Sequence, residues 1–179
     1  MIEQLSLVGR KVRLRPKHIG DAANDYAWRR DAELCRLDAT SPITCSFKEF
    51  LEDYAWELRY PSSGQRFAIE TLEGEHIGNC GFFNVDREKK EAEMGIMIGN
   101  RAYWNRGYGT DAVLTLLKHI FTSTDLRRIY LKTLDWNIRA QKCFKKCGFS
   151  ACGSLSCWGY SFLLMETFRP EQPSSGQPE

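Results

Sequence analysis

The residues Trp104-Asn105-Arg106-Gly107-Tyr108-Gly109-Thr110 form a short glycine-containing loop just past the middle of the sequence. Its two glycines let the backbone come close to a ligand, and the loop runs directly into a helical pattern. Amide N–H groups at the start of a helix point in one direction, where the helix dipole also favours a negative charge. The loop therefore predicts a pyrophosphate site, although two glycines alone are equally typical of a tight turn.

The segments that flank the loop predict a strand before it and a helix and a strand after it. Residues 92–98 and residues 128–134 have strand-like composition. Between the loop and the second strand, one helix face carries an apolar stripe formed by Val113, Leu116, Leu117, Ile120 and Phe121. Strand, loop, helix, strand is an order typical of phosphate sites. The loop lacks Gly-Lys-Ser/Thr and a third glycine, which excludes a nucleoside-triphosphate loop and a dinucleotide fold.

The rest of the chain supplies further strands and helices. Alternating patterns predict strands at residues 12–15, 66–72, 76–85, 150–155 and 160–168. Helices are expected over residues 21–31, over 46–60 after the Ser46/Glu49 capping box, and from Asn137 to a terminal Gly148. No linker or repeat divides the chain, so one domain over residues 1–169 is predicted. Residues 170–179 have nothing to bury and are expected to form a disordered tail.

Length and charge narrow the class of protein. The chain has 179 residues, and its 25 basic and 23 acidic residues give a net charge of +2. This charge excludes the polyelectrolyte field that nucleic-acid binders use. No apolar run reaches the roughly 18 residues of a membrane span, and the first residues lack the pattern of a signal peptide. We therefore expect a cytoplasmic protein that contacts neither nucleic acid nor membrane.

The cysteines and histidines do not form a known metal-binding or nucleophile pattern. Seven cysteines occur, an odd number with no Cys-x-x-Cys pair, which favours free thiols. Cys143, Cys147, Cys152 and Cys157 could be imagined as a metal cluster, but cysteine also packs as a small apolar residue. The three histidines are scattered among different predicted elements. No metal and no Cys/His nucleophile pair are therefore expected.

Two longer segments resemble ordered motifs of one enzyme family. Residues 93–112, which include the glycine loop, closely resemble the acetyl-CoA motif of GNAT-superfamily N-acetyltransferases. Residues 137–149 match a second motif of that family, at the expected spacing and in the expected order. Residues 14–16 and 28–31 resemble the corresponding sequences in the branch of the family that contains ribosomal-protein N-terminal and polyamine acetyltransferases. The resemblance covers about residues 10–168.

This resemblance implies an α/β (α+β) fold with a GNAT-like central sheet of about seven strands, mixed and mostly antiparallel, flanked by helices. The sheet is expected to splay open after Ile98, where the pantetheine arm of acetyl-CoA would pair with the strand. The pyrophosphate would lie on the amides from Arg106 to Thr110. The implied cofactor-binding residues are Ile96, Met97, Ile98, Trp104, Asn105, Arg106, Gly107, Tyr108, Gly109, Thr110, Asn137 and Phe144. Trp104 stands where many relatives have Gln or Arg, and Asn105 stands at a usual glycine position.

The resemblance also implies catalytic roles. Glu93 stands where relatives often have a glutamate suggested as the base, acting directly or through water; the alternative is a solvated charge at a strand end. A backbone N–H near Met97 or Ile98 would stabilise the oxyanion. Asn137 would position the cofactor arm and can also cap a helix. Phe144 replaces a tyrosine thought to protonate the leaving thiolate. Water would then protonate it, since the adjacent Cys143 should point about 100° away.

The function predicted from these features is acetyl transfer from acetyl-CoA to a primary amine of a small molecule or a protein N-terminus, directly within a ternary complex. The first two predicted helices, rich in carboxylates, and residues 154–160 would hold this acceptor. The sequence is compatible with a homodimer and does not decide the oligomeric state. The alternative function is a non-catalytic module that binds acyl-CoA, an alternative that Phe144 favours.

Overall fold

The structure is a computed structural model that describes residues 6–61 and 63–171, and a single sheet organises it. The strands are β1 (Leu7–Val8), β2 (Val12–Pro16), β3 (Gly64–Thr71), β4 (His76–Asp86), β5 (Glu91–Ile98), β6 (Arg128–Leu134), β7 (Ser150–Cys157) and β8 (Tyr160–Phe168). They lie side by side in the order β1-β2-β3-β4-β5-β6-β8-β7. All neighbours are antiparallel except β5 and β6, which are parallel. The sheet is therefore mixed and mostly antiparallel, as predicted.

Five α-helices and two short 3-10 helices, Ile19–Asp21 and Arg101–Tyr103, flank the sheet in the described part of the chain. The α-helices are α1 (Ala22–Arg30), α2 (Ala32–Leu37), α3 (Phe47–Arg59), α4 (Tyr108–Ser123) and α5 (Ile138–Lys146). Their ends follow local chemistry: Ser46 and Glu49 form the predicted capping box of α3, and Gly148, with φ 90°, follows the end of α5. None of the helices in the described ranges is long and apolar enough to cross a membrane.

Helix α4 supplies one side of the main core. Val113, Leu116 and Ile120 are fully buried and belong to a cluster that includes Val12 and Leu14 of β2. Alternation along β5 places Ala92, Met94, Ile96 and Ile98 on this same face. The helix that begins at the glycine loop is thus fixed to the sheet along its apolar stripe, which holds its first turn in place.

The sheet opens earlier than the sequence predicted. β5 and β6 pair only from Glu91 to Glu93, opposite Arg128 to Tyr130. Beyond Glu93 the space beside β5 is lined by α5, including Phe144, instead of by a neighbouring strand. The prediction that the sheet splays after Ile98 is therefore wrong. The last five residues of β5 therefore have an open edge on the side of β6.

Two elements were missed by pattern reading. The two-residue strand β1 pairs with β2 and makes the sheet eight-stranded instead of about seven-stranded. The short helix α2 was also missed: Asp31 ends α1 as predicted, and its carboxylate accepts hydrogen bonds from Glu33 N and Leu34 N and so caps α2. The predicted tail lies outside the described residues from residue 172 onward. Arg169, just before the predicted tail, is bound to the segment that precedes β6, because its backbone N–H donates to the Arg127 carbonyl at 2.8 Å.

Candidate active site

The glycine loop forms the start of α4. Gly107 has φ 84° and precedes the first helical residue without a side-chain cap. The first bond that closes the helix runs from Asp111 N to Gly107 O, at 3.0 Å. The amides of Tyr108, Gly109 and Thr110 lie in the first turn, where N–H groups have no partner within the helix. The loop therefore presents free amides at the start of a helix, and pyrophosphate binding there stays a prediction.

Asn105 explains how the loop turns without a third glycine. Its φ is 58°, in the left-handed region that most side chains avoid. Asparagine tolerates this region better than other non-glycine residues. A position that is usually glycine can therefore carry Asn105 and keep the same backbone path.

Asp111 holds the loop against the β1–β2 turn, a role that sequence reading did not assign. Its carboxylate accepts hydrogen bonds from the backbone N–H groups of Arg10, Lys11 and Val12, at 3.1, 2.8 and 3.1 Å. The Lys11 ammonium donates to the carbonyl of Arg106 at 2.9 Å. These four bonds join residues about one hundred positions apart and fix the approach to the helix start.

A cavity of about 540 Å³ extends from the glycine loop to the open edge of β5. Ten of the twelve residues predicted to bind the cofactor line it, namely Ile96, Met97, Ile98, Trp104, Asn105, Gly107, Gly109, Thr110, Asn137 and Phe144. Arg106 and Tyr108 do not. The Arg106 guanidinium donates to the Ala102 carbonyl, and the Tyr108 ring packs on Tyr103. The Arg106 side chain is exposed, and the Tyr108 ring is partly buried against the core.

The cavity has a basic wall on the side of α5. Arg139, Lys142 and Lys146 line it close to the glycine loop. The Arg139 guanidinium stacks on the ring of Trp104, 3.5 Å from its centroid, and burial lowers the pKa of Arg139. Trp104 in turn donates from Nε1 to the Ile98 carbonyl, at 2.7 Å. Trp104, at a position where many relatives have Gln or Arg, thus connects α5 to the end of β5.

The backbone of β5 has one edge available to a ligand. A methyl group on Gly78 would lie 2.1 Å from the Met97 carbonyl oxygen, so the peptide groups of Met97 face β4. Successive residues of a strand direct their N–H and C=O groups to opposite edges. The groups of Ile96 and Ile98 therefore face the opening. Of the two residues predicted to supply the oxyanion donor, Met97 is turned away and Ile98 is directed correctly.

Glu93 is buried at the point where β5 and β6 separate. Its side chain is 8% exposed and contacts two polar partners. Asn84 Nδ2 donates to Oε2 at 2.9 Å, and Lys132 Nζ lies 3.1 Å from Oε1. The expectation of a solvated strand-end charge is therefore wrong. Glu93 is not among the residues that line the cavity. Its role as a catalytic base therefore stays a prediction.

Asn137 and Phe144 lie on the α5 side of the cavity. The Asn137 side chain accepts a hydrogen bond from Ala140 N at 3.2 Å and lines the cavity, so capping and ligand contact are compatible. Phe144 is buried against Phe149 and has no proton to donate. Cys143 also lines this cavity, and its unsuitability as a substitute proton donor stays a prediction. Its sulfur lies 3.5 Å from Thr110 Oγ1, at the glycine-loop end.

Comparison with known proteins identifies the family. The model of the acetyltransferase (GNAT) domain matches residues 11–150. This chain belongs to the GNAT acetyltransferase family. An uncharacterized N-acetyltransferase, p20 of Bacillus licheniformis, is 30% identical over 152 residues, which cover 84% of this chain and 85% of that protein. The spermidine N(1)-acetyltransferase of Escherichia coli K12 is 27% identical over 144 residues, with 80% and 75% coverage.

Solved structures agree with this GNAT assignment. The spermidine N-acetyltransferase from Vibrio cholerae, in complex with CoA and spermine, superposes with a TM-score of 0.78. It is 21% identical, and the match covers 88% of this chain and 95% of that one. The mixed, splayed sheet flanked by helices is therefore the GNAT fold, and the chain is an acyltransferase by family.

The GNAT chain carries a buried polar cluster that sequence reading missed. The Lys17 ammonium contacts the Asp25 carboxylate and lies 2.7 Å from Asn79 Oδ1, while Asn79 Nδ2 donates to Asp25 at 2.7 Å. Asn79 is the register partner of Met97, so this cluster lies beside β5. Burial, with the nearby Asp25 charge, raises the pKa of Tyr54. The Tyr54 hydroxyl has no hydrogen-bond partner among the described residues.

Within residues 6–61 and 63–171, no group of three or more His, Cys, Asp or Glu side chains is arranged to hold a metal ion. The cysteines imagined as a cluster are divided between two elements. Cys143 and Cys147 belong to α5 and its end, and Cys152 and Cys157 belong to β7. All seven cysteines are free thiols.

Proposed function

We propose that this chain transfers an acetyl group from acetyl-CoA directly to a primary amine within a ternary complex. One observation carries the proposal: a single cavity joins the amides at the start of α4 to the open edge of β5. An anionic group and an extended chain would find suitable partners at its two parts. The cavity volume of about 540 Å³ is typical of small-molecule sites.

Acetyl-CoA fits this arrangement in a defined direction. The pyrophosphate would accept hydrogen bonds from the amides of residues 107–110, beside the cations Arg139, Lys142 and Lys146. The pantetheine amides would pair with the exposed backbone of Ile96 and Ile98. This places the thioester near the point where β5 and β6 separate. The CoA in the Vibrio cholerae structure supports the choice of cofactor.

The reaction needs a neutral amine, an oxyanion donor and an exit for the thiolate. In our proposal the amine nitrogen attacks the thioester carbonyl, and Glu93 accepts the amine proton directly or through a water. A backbone N–H at the open edge of β5 would stabilise the oxyanion, and Asn137 would position the cofactor arm. Phe144 donates no proton, so water protonates the leaving thiolate, which a thiol pKa of about 8.5 permits near neutral pH.

The acceptor would contact the end of α2, where Leu34, Leu37 and Asp38 line the cavity. Asp38 is the acidic residue among the described lining residues. Its carboxylate and the two leucines favour a cationic amine with an apolar chain. The acceptor class we propose is a small-molecule amine or a protein N-terminus, and the spermine bound by the Vibrio cholerae protein is consistent with it.

Seven free thiols fit a reducing compartment, so we propose a cytoplasmic location.

A turnover assay with a panel of acceptors tests this function. The purified chain would be incubated with acetyl-CoA and separately with polyamines, aminoglycosides, amino acids and N-terminal peptides. Release of free CoA thiol would be followed together with the mass of the acetylated product. We expect acceptor-dependent thiol release with at least one cationic amine. Tight acetyl-CoA binding without thiol release from any acceptor would instead support a non-catalytic acyl-CoA-binding module.

A further inference from the structure

Two thiols and a threonine lie close together beside the glycine loop. Cys143 Sγ lies 3.5 Å from the hydroxyl oxygen of Thr110, and the Cys147 thiol contacts the Thr110 carbonyl at 3.6 Å. A methyl group on Gly109 would lie 3.7 Å from Cys143 Sγ. The two cysteines are four residues apart and share one face of the end of α5. This cluster is therefore in contact with the first turn of α4, which is the proposed pyrophosphate site.

The two thiols are in different environments. Cys147 is buried, whereas Cys143 is partly exposed and is the one cysteine among the described residues that lines the cavity. The Cys147 thiol, the Thr110 hydroxyl and the Lys146 charge favour the anionic form of Cys143 and lower its pKa. The start of α4 acts in the same direction. Cys143 is thus accessible and activated, and Cys147 supports it.

The cavity also selects the charge of a thiol reagent. Arg139, Lys142 and Lys146 surround the approach to Cys143, so an anionic reagent is attracted and a cationic one is repelled. Cys152 is exposed on β7 and lies outside this basic wall. Charge selectivity therefore distinguishes Cys143 from a cysteine that is merely exposed.

We propose that Cys143 is a modification site at which an anionic low-molecular-weight disulfide reacts and closes the cofactor cavity. The Cys143 thiolate attacks one sulfur of the disulfide RSSR, so a Cys143–S–S–R bond forms and RS⁻ leaves. The disulfide is the oxidant, and a free thiol reverses the step. The attached group would occupy the space in front of Gly109 and Thr110. This part of the inference rests on the proposed acetyl-CoA site.

Intact-protein and peptide mass spectrometry after treatment with glutathione disulfide tests the site. We expect a glutathionyl group on Cys143, formed faster than the adduct of the cationic disulfide cystamine at low ionic strength, with the difference reduced by salt. The dissociation constant of acetyl-CoA, measured by calorimetry, should rise at least about tenfold after treatment and return after reduction. Saturating acetyl-CoA should slow the modification of Cys143.

Two variants separate the possible outcomes. In Cys143→Ser the affinity for acetyl-CoA, whatever its starting value, should no longer respond to glutathione disulfide. In Cys152→Ser the response should remain. The inference is overturned if the adduct forms on other cysteines and not on Cys143, or if Cys143 is modified without loss of affinity. Absence of acetyl-CoA binding by the untreated protein would contradict the proposed function instead, because the adduct on Cys143 is measured independently.

Discussion

The Trp104 indole N–H donates a 2.7 Å hydrogen bond to the carbonyl oxygen of Ile98, and the Arg139 guanidinium covers the same ring. The bond joins the glycine loop to the open edge of β5. It also occupies one of the two backbone groups of Ile98 and leaves the N–H for a ligand. The side chain at position 104 therefore sets the relative position of the two halves of the proposed cofactor site.

Replacing Trp104 with Phe should weaken acetyl-CoA binding. The variant keeps an aromatic ring for Arg139 but loses the hydrogen bond to Ile98, which contributes about 0.5–1.5 kcal/mol. We expect the dissociation constant of acetyl-CoA to rise by roughly twofold to tenfold in calorimetry. Trp158→Phe is the matched control, since Trp158 lies at the exposed tip of the β7–β8 hairpin. Equal affinities of the Trp104 variant and the control would contradict the role of this bond.

Glu93→Gln should lower kcat without lowering acetyl-CoA affinity. The amide has the same shape and can still contact Asn84, but it cannot accept the proton of the amine. Loss of a general base typically lowers the rate by about 10²–10⁴-fold. The affinity should be retained because Glu93 does not line the cavity. Steady-state kinetics with the best acceptor and calorimetry with acetyl-CoA measure the two quantities.

The control for Glu93 is Glu91→Gln, which changes a carboxylate two residues earlier on the same face of β5. Glu91 pairs with Arg128 and is farther from the point where the strands separate. Its kcat should stay near that of the unchanged protein. A normal kcat in Glu93→Gln, with unfolding temperatures equal for both variants, would show that Glu93 is not the base.

Much of the fold follows from short-range patterns. The bounds of β6 and β8 agree with the strands predicted at residues 128–134 and 160–168. The capping box of Ser46 and Glu49 also forms as predicted. In each case the signal lies within a few residues, as an alternation of side chains or as a polar group beside free amides. Such signals can be read from one sequence.

The parts that could not be predicted depend on contacts between distant residues. Lys17 and Asn79 are 62 positions apart, and no local pattern indicates that they share a buried cluster with Asp25. The early opening of the sheet after Glu93 depends on the pairing of β5 with β6, and the whole of α4 separates these two strands in the sequence. The motif resemblance indicated which residues line the cavity. It did not indicate the direction of Met97 or the exposure of Cys143, which depend on strand register and on helix packing.

Lys17→Met should strongly destabilise the protein. The Lys17 and Asp25 side chains are only 13% and 7% exposed, so the change leaves a buried carboxylate with less compensation. Removal of one partner of a buried pair costs about 3–5 kcal/mol. Arg66→Ala is the control, because Arg66 and Glu57 form a pair that is 60% and 61% exposed and is expected to contribute about 0–1 kcal/mol. Urea unfolding measures both free energies, and similar losses in the two variants would contradict the prediction.

His119 should make folding stability fall in mild acid. Burial lowers the pKa of His119 in the folded protein, where its ring contacts Gln65 and Ser123. In the unfolded chain the pKa of histidine is about 6.5. As the pH falls below about 6.5, the unfolded chain binds a proton that folded His119 does not, so the free energy of unfolding decreases. The decrease continues until the pH reaches the lowered pKa of the folded state.

The variant His119→Gln should remove this contribution, because glutamine does not titrate. Urea unfolding at about pH 7.5 and about pH 5.5 measures stability on either side of the histidine pKa of the unfolded chain. The loss of stability between these two pH values should be smaller for His119→Gln than for the unchanged protein. His18→Gln is the control, since the His18 side chain is 55% exposed. Carboxylates that titrate at lower pH affect all three proteins alike, so the comparison isolates His119. An equal loss of stability in His119→Gln and in the unchanged protein would mean that burial of His119 does not govern this pH dependence.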